Sequence, residues 1–154
     1  MSDDAHDWNA LHTQLQQTLQ KEVNMMRELL ANMHQEELSL LLNDHGTLSQ
    51  LLHERTLLVD RLSSLRSSRL DTAEKIEKIT GTQSPEQMFP LDEESSMEIL
   101  SLRDQLMALT EQMNRQKSQN QYLIDHPTEA KLAAPQNAAR AKRKASVATY
   151  QIKK

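Results

Sequence analysis

The stretch that decides the fold is residues 38–52, which read Leu-Ser-Leu-Leu-Leu-Asn-Asp-His-Gly-Thr-Leu-Ser-Gln-Leu-Leu. It joins two leucine-rich runs through a polar break at 43–46, whose Asn, Asp and Gly tolerate the left-handed backbone that ends helices. We expect a turn there, followed by a second helix whose Thr47 and Gln50 form a capping box. The alternative is one continuous helix, in which Gly46 costs about 1 kcal/mol relative to alanine.

Apolar residues recur at every third or fourth position on both sides of this break, which is typical of helices with one apolar face. Such a helix must bury that face against another helix. We therefore predict an all-α fold for residues 1–126, an antiparallel bundle or coiled coil of three long helices. The predicted helices cover about 4–43, 47–79 and 92–125, with a short helix at about 85–89.

The composition excludes several classes of protein. Two glycines and four prolines in 154 residues are too few for a turn-rich β protein, and the absence of cysteine excludes disulfides, thiolate zinc sites and cysteine nucleophiles. No apolar run approaches the roughly twenty residues that span a bilayer. The acidic start, residues 1–4, is not followed by a signal-type apolar stretch. We therefore expect a cytoplasmic protein without membrane insertion.

The last 29 residues differ from the rest of the chain. They hold seven Lys and Arg and one acidic residue, although the whole chain has a net charge of −4. Without apolar periodicity, residues 127–154 are predicted to be a flexible, disordered basic tail, of which 128–146 could become helical on a partner. We expect the basic cluster of this tail to be solvated. Binding to an acidic partner, or to the acidic remainder of the same chain, is the next alternative. Nucleic acid is disfavoured because no aromatic side chain is interleaved with the cluster, which is Arg140, Lys142, Arg143 and Lys144.

The residues that catalysis or metal binding would need are missing. No histidine follows a glutamate at the three-residue spacing of a di-iron bundle, and two glycines cannot build a phosphate-binding loop. His34 and Glu37 are three residues apart, but a solvated polar face explains them better than a metal site. We expect neither enzymatic activity nor a cofactor.

Residues 29–71 resemble the FlgN family of flagellar type III secretion chaperones. The resemblance extends in order and length over most of the chain. It rests on a glutamate followed by leucines, the Asp-His-Gly break, a leucine-rich helix ending in arginines, and an asparagine before a Leu-Ile pair. In this chain these features are Glu36 or Glu37, Leu38, Leu40, residues 44–46, residues 48–55, Leu58, Leu62, Leu65, Arg66, Arg69, Asn120, Leu123 and Ile124.

The resemblance implies a cytoplasmic chaperone that binds the C-terminal helix of hook–filament junction proteins, keeps them unpolymerised and delivers them to the export apparatus. The third helix and the tail would bind the substrate, and a tail tyrosine, here Tyr150, would contact the export gate. Binding a helix in a groove needs an apolar strip that the free protein leaves open. The expected partner-binding residues are Leu102, Leu106, Leu109, Met113, Asn120, Leu123 and Ile124.

The same leucine stripes fit other functions. A structural coiled-coil component, or a regulator of a secretion ATPase, would use them for permanent subunit contacts. A protein acting on nucleic acid would do so through its tail. Pairing between two copies of the chain is also open, since the stripes fit contacts within or between chains.

Overall fold

The computed structural model describes the backbone of residues 2–80 and 93–153 and the side chains of residues 8–79, 97–129 and 137–148. These residues form helices and no strands. The helices are α1 (Ser2–Leu41), α2 (His45–Thr80), α3 (Glu93–Asp125) and α4 (Pro127–Lys153). The first three lie within two residues of their predicted bounds. The short helix predicted at 85–89 falls outside the described residues.

α1 lies at the centre of the molecule and packs against each of the other three helices. α2 runs antiparallel to α1, since Arg69 pairs with Glu22 near one end and Arg55 pairs with Glu36 near the other. Among the described residues, no Cα atom of α2 lies within 8 Å of one in α3 or α4. α2 is therefore separated from α3 across the surface of α1.

α3 runs parallel to α1, and α4 runs antiparallel to it. Arg27 bonds to Gln105, and Glu37, ten residues later on α1, accepts a bond from Gln116 on α3. Lys144 of α4 reaches the same Glu37. The architecture is a helical bundle organised around one helix.

One apolar cluster along α1 holds α1, α2 and α3 together. Its spacing on α1 is three or four residues, as the leucine ladder predicts, and burial of such side chains stabilises by roughly 1.5–3 kcal/mol each. The buried members are Leu15, Leu19, Val23, Met26, Leu29, Leu30, Leu62, Ile76, Ile99, Leu102 and Leu109. A smaller cluster of Leu41, Leu123 and Ala141 joins α1, α3 and α4.

The predicted turn between α1 and α2 is present, but its cap differs from the prediction. Asn43 has a left-handed backbone (φ 56°), which ends α1. Asp44, and not Thr47, caps α2: its Oδ1 accepts the Thr47 backbone N–H at 3.1 Å and its Oδ2 the Thr47 hydroxyl at 2.7 Å. These bonds to Thr47 lower the pKa of Asp44. The earlier cap explains why α2 begins at His45.

The prediction of a disordered tail is wrong, because residues 127–153 form α4 and pack on α1. The contact uses small side chains, Ala141, Ala145 and Ala148, which are buried at intervals of four and three residues on one face. Small residues allow two helix backbones to approach closely. The sequence predicts that residues 128–146 could become helical on a partner. In this structure they are helical in contact with α1 of the same chain.

No helix among the described residues has the combination of length and apolar character needed to cross a membrane.

Candidate functional site

Two buried carboxylates on α1 connect all four helices. Glu36 accepts bonds from Arg55 of α2 (Nη1–Oε2 2.9 Å) and from the side-chain amide of Asn120 on α3. Glu37 accepts bonds from Gln116 of α3 (2.8 Å) and Lys144 of α4 (3.0 Å). Adjacent residues on α1 thus fix the positions of three helices around it.

Glu36 and Glu37 of α1 form a buried polar layer with Gln116 and Asn120 of α3, and Asn120 lies at its centre. Besides Glu36, its amide nitrogen donates to the Met33 carbonyl at 2.9 Å, and its amide oxygen accepts a bond from Gln116 at 2.8 Å. A buried amide with such partners sets the register between two helices, because sliding either helix would leave polar groups unpaired.

A third buried carboxylate lies nearer the start of α1. Glu22 is almost fully buried and pairs with Arg69 of α2 at 2.9 Å. Burial raises its pKa, against the opposing effect of Arg69 and Arg66. Two arginines of the apolar stripe of α2, Arg55 and Arg69, thus pair with glutamates of α1.

A groove opens above Glu22 where α2 and α3 diverge. Its volume is about 450 Å³, and apolar and arginine side chains alternate in its walls. We call it the α2/α3 groove. It is lined by Glu22 and Met26 of α1, Leu62, Arg66 and Arg69 of α2, and Arg103, Leu106, Met107, Thr110 and Glu111 of α3.

The rim of the groove on α2 is apolar and exposed. Leu52 and Val59 lie fourteen and seven residues before Arg66 on α2, and Leu70 lies four residues after it. All three therefore lie on the flank of α2 that Arg66 turns toward the groove. They are 46%, 48% and 63% exposed. On the opposite rim Met107 of α3 is 61% exposed. Exposed apolar side chains that line up along a groove are typical of a protein-binding surface.

The partner-binding strip predicted on α3 is mostly covered by α1 in this structure. Leu102, Leu109, Leu123 and Asn120 are buried, the leucines in the core and Asn120 in the polar layer. The free chain does not leave these four side chains open, since α3 turns them toward α1. A role for them in binding stays a prediction that requires α3 to lift from α1.

The other three members of the strip remain accessible in part. Leu106 and Met113 are half-buried against the core, and Ile124 is exposed. Their spacing of seven and eleven residues places them on one face of α3, the face that Leu106 turns toward the groove. These three therefore form the α3 side of an extended surface along the α2/α3 groove.

The remaining predicted site residues are placed as follows. His34 and Glu37 are not a solvated face, because Glu37 is buried and bonded to Gln116 and Lys144 and His34 is half-buried beside it. Tyr150 belongs to α4, but its side chain lies outside the described residues. In the described part of the chain, no group of three or more His, Asp or Glu residues could hold a metal ion.

Sequence reasoning missed the polar layer, although a signal for it exists. Glu22 and Glu36 are fourteen residues apart on the apolar side of α1, and Arg69 and Arg55 are fourteen residues apart on α2. Equal spacing of opposite charges on two antiparallel helices predicts two cross-helix pairs, and both are present.

Comparison with protein-family models matches residues 11–133 to the family described as FlgN protein. The match includes α1 from its third turn, all of α2 and α3, and the first residues of α4. Neither the comparison with curated proteins nor that with solved structures finds a significant match.

Proposed function

Because the chain belongs to the FlgN family, whose members are flagellar export chaperones, we propose that it binds the C-terminal helix of hook–filament junction proteins in the α2/α3 groove. It keeps such substrates unpolymerised in the cytoplasm and delivers them to the export apparatus. The observation that carries the proposal is the groove itself, with exposed apolar side chains on both rims and, among the described residues, no Cα atom of α2 within 8 Å of one in α3.

The length of the exposed apolar row on α2 suits a helix. The row extends from Leu52 to Leu70, which is about 27 Å at 1.5 Å per residue, or about five helical turns. α2 and α3 run in opposite directions. Leu70 and Leu106 therefore lie toward the Glu22 end of this surface, and Leu52 and Ile124 toward the Glu36 end. An amphipathic helix laid between α2 and α3 completes the bundle.

Arginine side chains give the groove a preference among helices. Arg66 lies within 3.9 Å of the Met26 sulfur, so its charged head is held beside apolar surface. A substrate helix with a carboxylate on its apolar face would pair with this arginine. A helix without one would cover this exposed arginine without giving it a new partner, which disfavours such helices.

The test compares apolar residues of equal exposure that lie on different flanks of α2. Val59 and Leu57 are both 48% exposed. The double variant Val59→Asp, Leu70→Asp places charges on the groove rim. The control Leu57→Asp, Ile79→Asp places them on the other flank, where Leu57 lines a different depression beside Glu28 and Ala31.

Calorimetric titration with a peptide of a junction protein's C-terminal helix should show at least roughly ten-fold weaker binding for the rim variant. The control variant should bind as tightly as the unchanged chain. Equal loss in both variants, or no loss in the rim variant, would show that the groove is not the substrate site.

Delivery to the export gate is proposed to use Tyr150 on α4. Replacing Tyr150 with alanine should reduce export of the junction proteins in cells while the affinity for the substrate peptide stays unchanged. A loss of peptide affinity in this variant would assign Tyr150 to substrate binding and remove it from the gate contact.

A further inference from the structure

A second concave surface lies on the other flank of α3, where α4 docks. This α3/α4 cleft has a volume of about 530 Å³ and a floor formed by α1. One wall is formed by Arg115 and three glutamines of α3, and the other by Asn137, Arg140 and Lys144 of α4. Arg143 lies where the cleft continues along α4. It exists only because α4 is folded onto α1, so the sequence gives no direct indication of it.

The cleft carries a positive charge that the protein does not neutralise. Lys144 is paired with Glu37 on the floor, and Glu37 is further satisfied by Gln116. Among the residues whose side chains the structure describes, none places a carboxylate within salt-bridge distance of Arg115, Arg140 or Arg143. Arg115 and Arg140 thus line the cleft, and Arg143 lines the depression that continues from it, in a chain whose net charge is −4.

The neutral groups of the walls favour a peptide over other anions. Gln112 and Gln119 of α3 and Asn137 of α4 also line the cleft. Side-chain amides donate and accept hydrogen bonds, as an extended peptide backbone requires, whereas a helix has already satisfied its own backbone. Guanidinium groups match carboxylates in two-pronged geometry.

We propose that the α3/α4 cleft binds an acidic, extended protein segment whose carboxylates pair with Arg115, Arg140 and Arg143. The segment belongs to a partner other than the substrate helix, since the cleft is polar while the α2/α3 groove has apolar rims. Nucleic acid is the poorer occupant, because none of the residues lining the cleft is a phenylalanine, tyrosine or tryptophan on which a base could stack.

The test measures fluorescence anisotropy of a labelled octaglutamate peptide titrated with the full chain. Binding should be detectable, should weaken as salt is raised from about 0.05 to about 0.5 M, and should be absent for octaglutamine. The double variant Arg115→Gln, Arg140→Gln should bind octaglutamate about ten-fold more weakly. Both side chains are exposed, so circular dichroism should show unchanged helix content.

A matched control removes two charges elsewhere. Arg61 on α2 and Lys117 on α3 are exposed and line neither wall of the cleft, so Arg61→Gln, Lys117→Gln should leave the affinity unchanged. An equal loss in this control, or no loss in the cleft variant, would overturn the proposal. Tighter binding of a single-stranded oligonucleotide than of octaglutamate, or full competition by inorganic phosphate at equal concentration, would overturn it as well.

Discussion

At the scale of single residues, Glu36 joins two helices to α1. It is buried, and its partners Arg55 and Asn120 belong to α2 and α3, which have no Cα atoms within 8 Å of each other among the described residues. Removing it leaves a guanidinium and an amide without their shared acceptor. Such a loss costs more than the pair itself contributes, because the remaining charge is still partly desolvated.

Replacing Glu36 with alanine should therefore lower the free energy of unfolding by about 3 kcal/mol. Urea denaturation followed by circular dichroism measures this change. Glu54→Ala, at an exposed position of α2, is the control and should stay within about 0.5 kcal/mol of the unchanged chain. If both variants lose the same small amount, the polar layer is not a major source of stability.

His34 gives the protein a dependence on pH. Burial, and next the charge of Lys144, lower its pKa below the ordinary value of 6.5. The unfolded chain therefore takes up a proton before the folded protein does. The resulting contribution to stability is complete above about 6.5 and is lost as the pH falls through that value toward the lowered pKa.

We expect the free energy of unfolding to fall between about pH 7.5 and about pH 5.5, and His34→Gln to reduce that fall. Glu22 acts in the opposite direction, since its raised pKa favours the folded state as the pH drops, so the difference between the two proteins is the quantity to measure. His53→Gln, at an exposed position of α2, is the control for removing a histidine side chain as such. Parallel pH profiles for the unchanged chain and His34→Gln would contradict this assignment.

At the scale of helices, the sequence predicts α1, α2 and α3 well because each is long and carries a sustained apolar stripe. It fails for α4 because three alanines bury little surface and produce no visible periodicity. The sequence also predicts only part of the binding surface. Leu102 and Leu106 belong to the same apolar stripe of α3, and only the packing of α3 on α1 decides which of them is covered. The spacing of residues along a helix predicts which side chains share a face. Which neighbouring helix covers that face depends on tertiary packing.

The docking of α4 depends on its small residues. Ala145→Leu should detach α4 from α1, because a larger side chain at a 2% exposed position overpacks the contact, at a cost of about 2 kcal/mol. Leucine and alanine have similar helix propensities, so the change acts on the contact alone. Trypsin should then cleave after Lys142 and Arg143 about thirty-fold faster.

Ala139→Leu, on the exposed side of the same helix, is the matched variant and should be cleaved at the rate of the unchanged chain. Rapid cleavage of all three proteins would mean that α4 is not stably docked.

At the scale of the whole molecule, the two proposed surfaces lie on opposite flanks of α3 and share none of their lining residues. The α2/α3 groove reaches Glu22 and Met26 of α1, and the α3/α4 cleft reaches His34 and Glu37. Sites that have no common partners bind independently unless a conformational change links them. The two proposals together therefore predict that the chain holds two partners at once, one by apolar burial and one by charge.

Simultaneous binding separates the two ways in which a substrate helix can engage α3. If the helix lies in the α2/α3 groove, saturating the chain with substrate peptide should change the octaglutamate affinity by less than about two-fold. If it instead displaces α1 to reach Leu109 and Leu123, α3 must move. Arg115 then leaves its place opposite Arg140, and octaglutamate binding should weaken about ten-fold as substrate is added. Anisotropy measured with and without saturating peptide distinguishes the outcomes, and the packing of α3 against α1 leads us to expect the first.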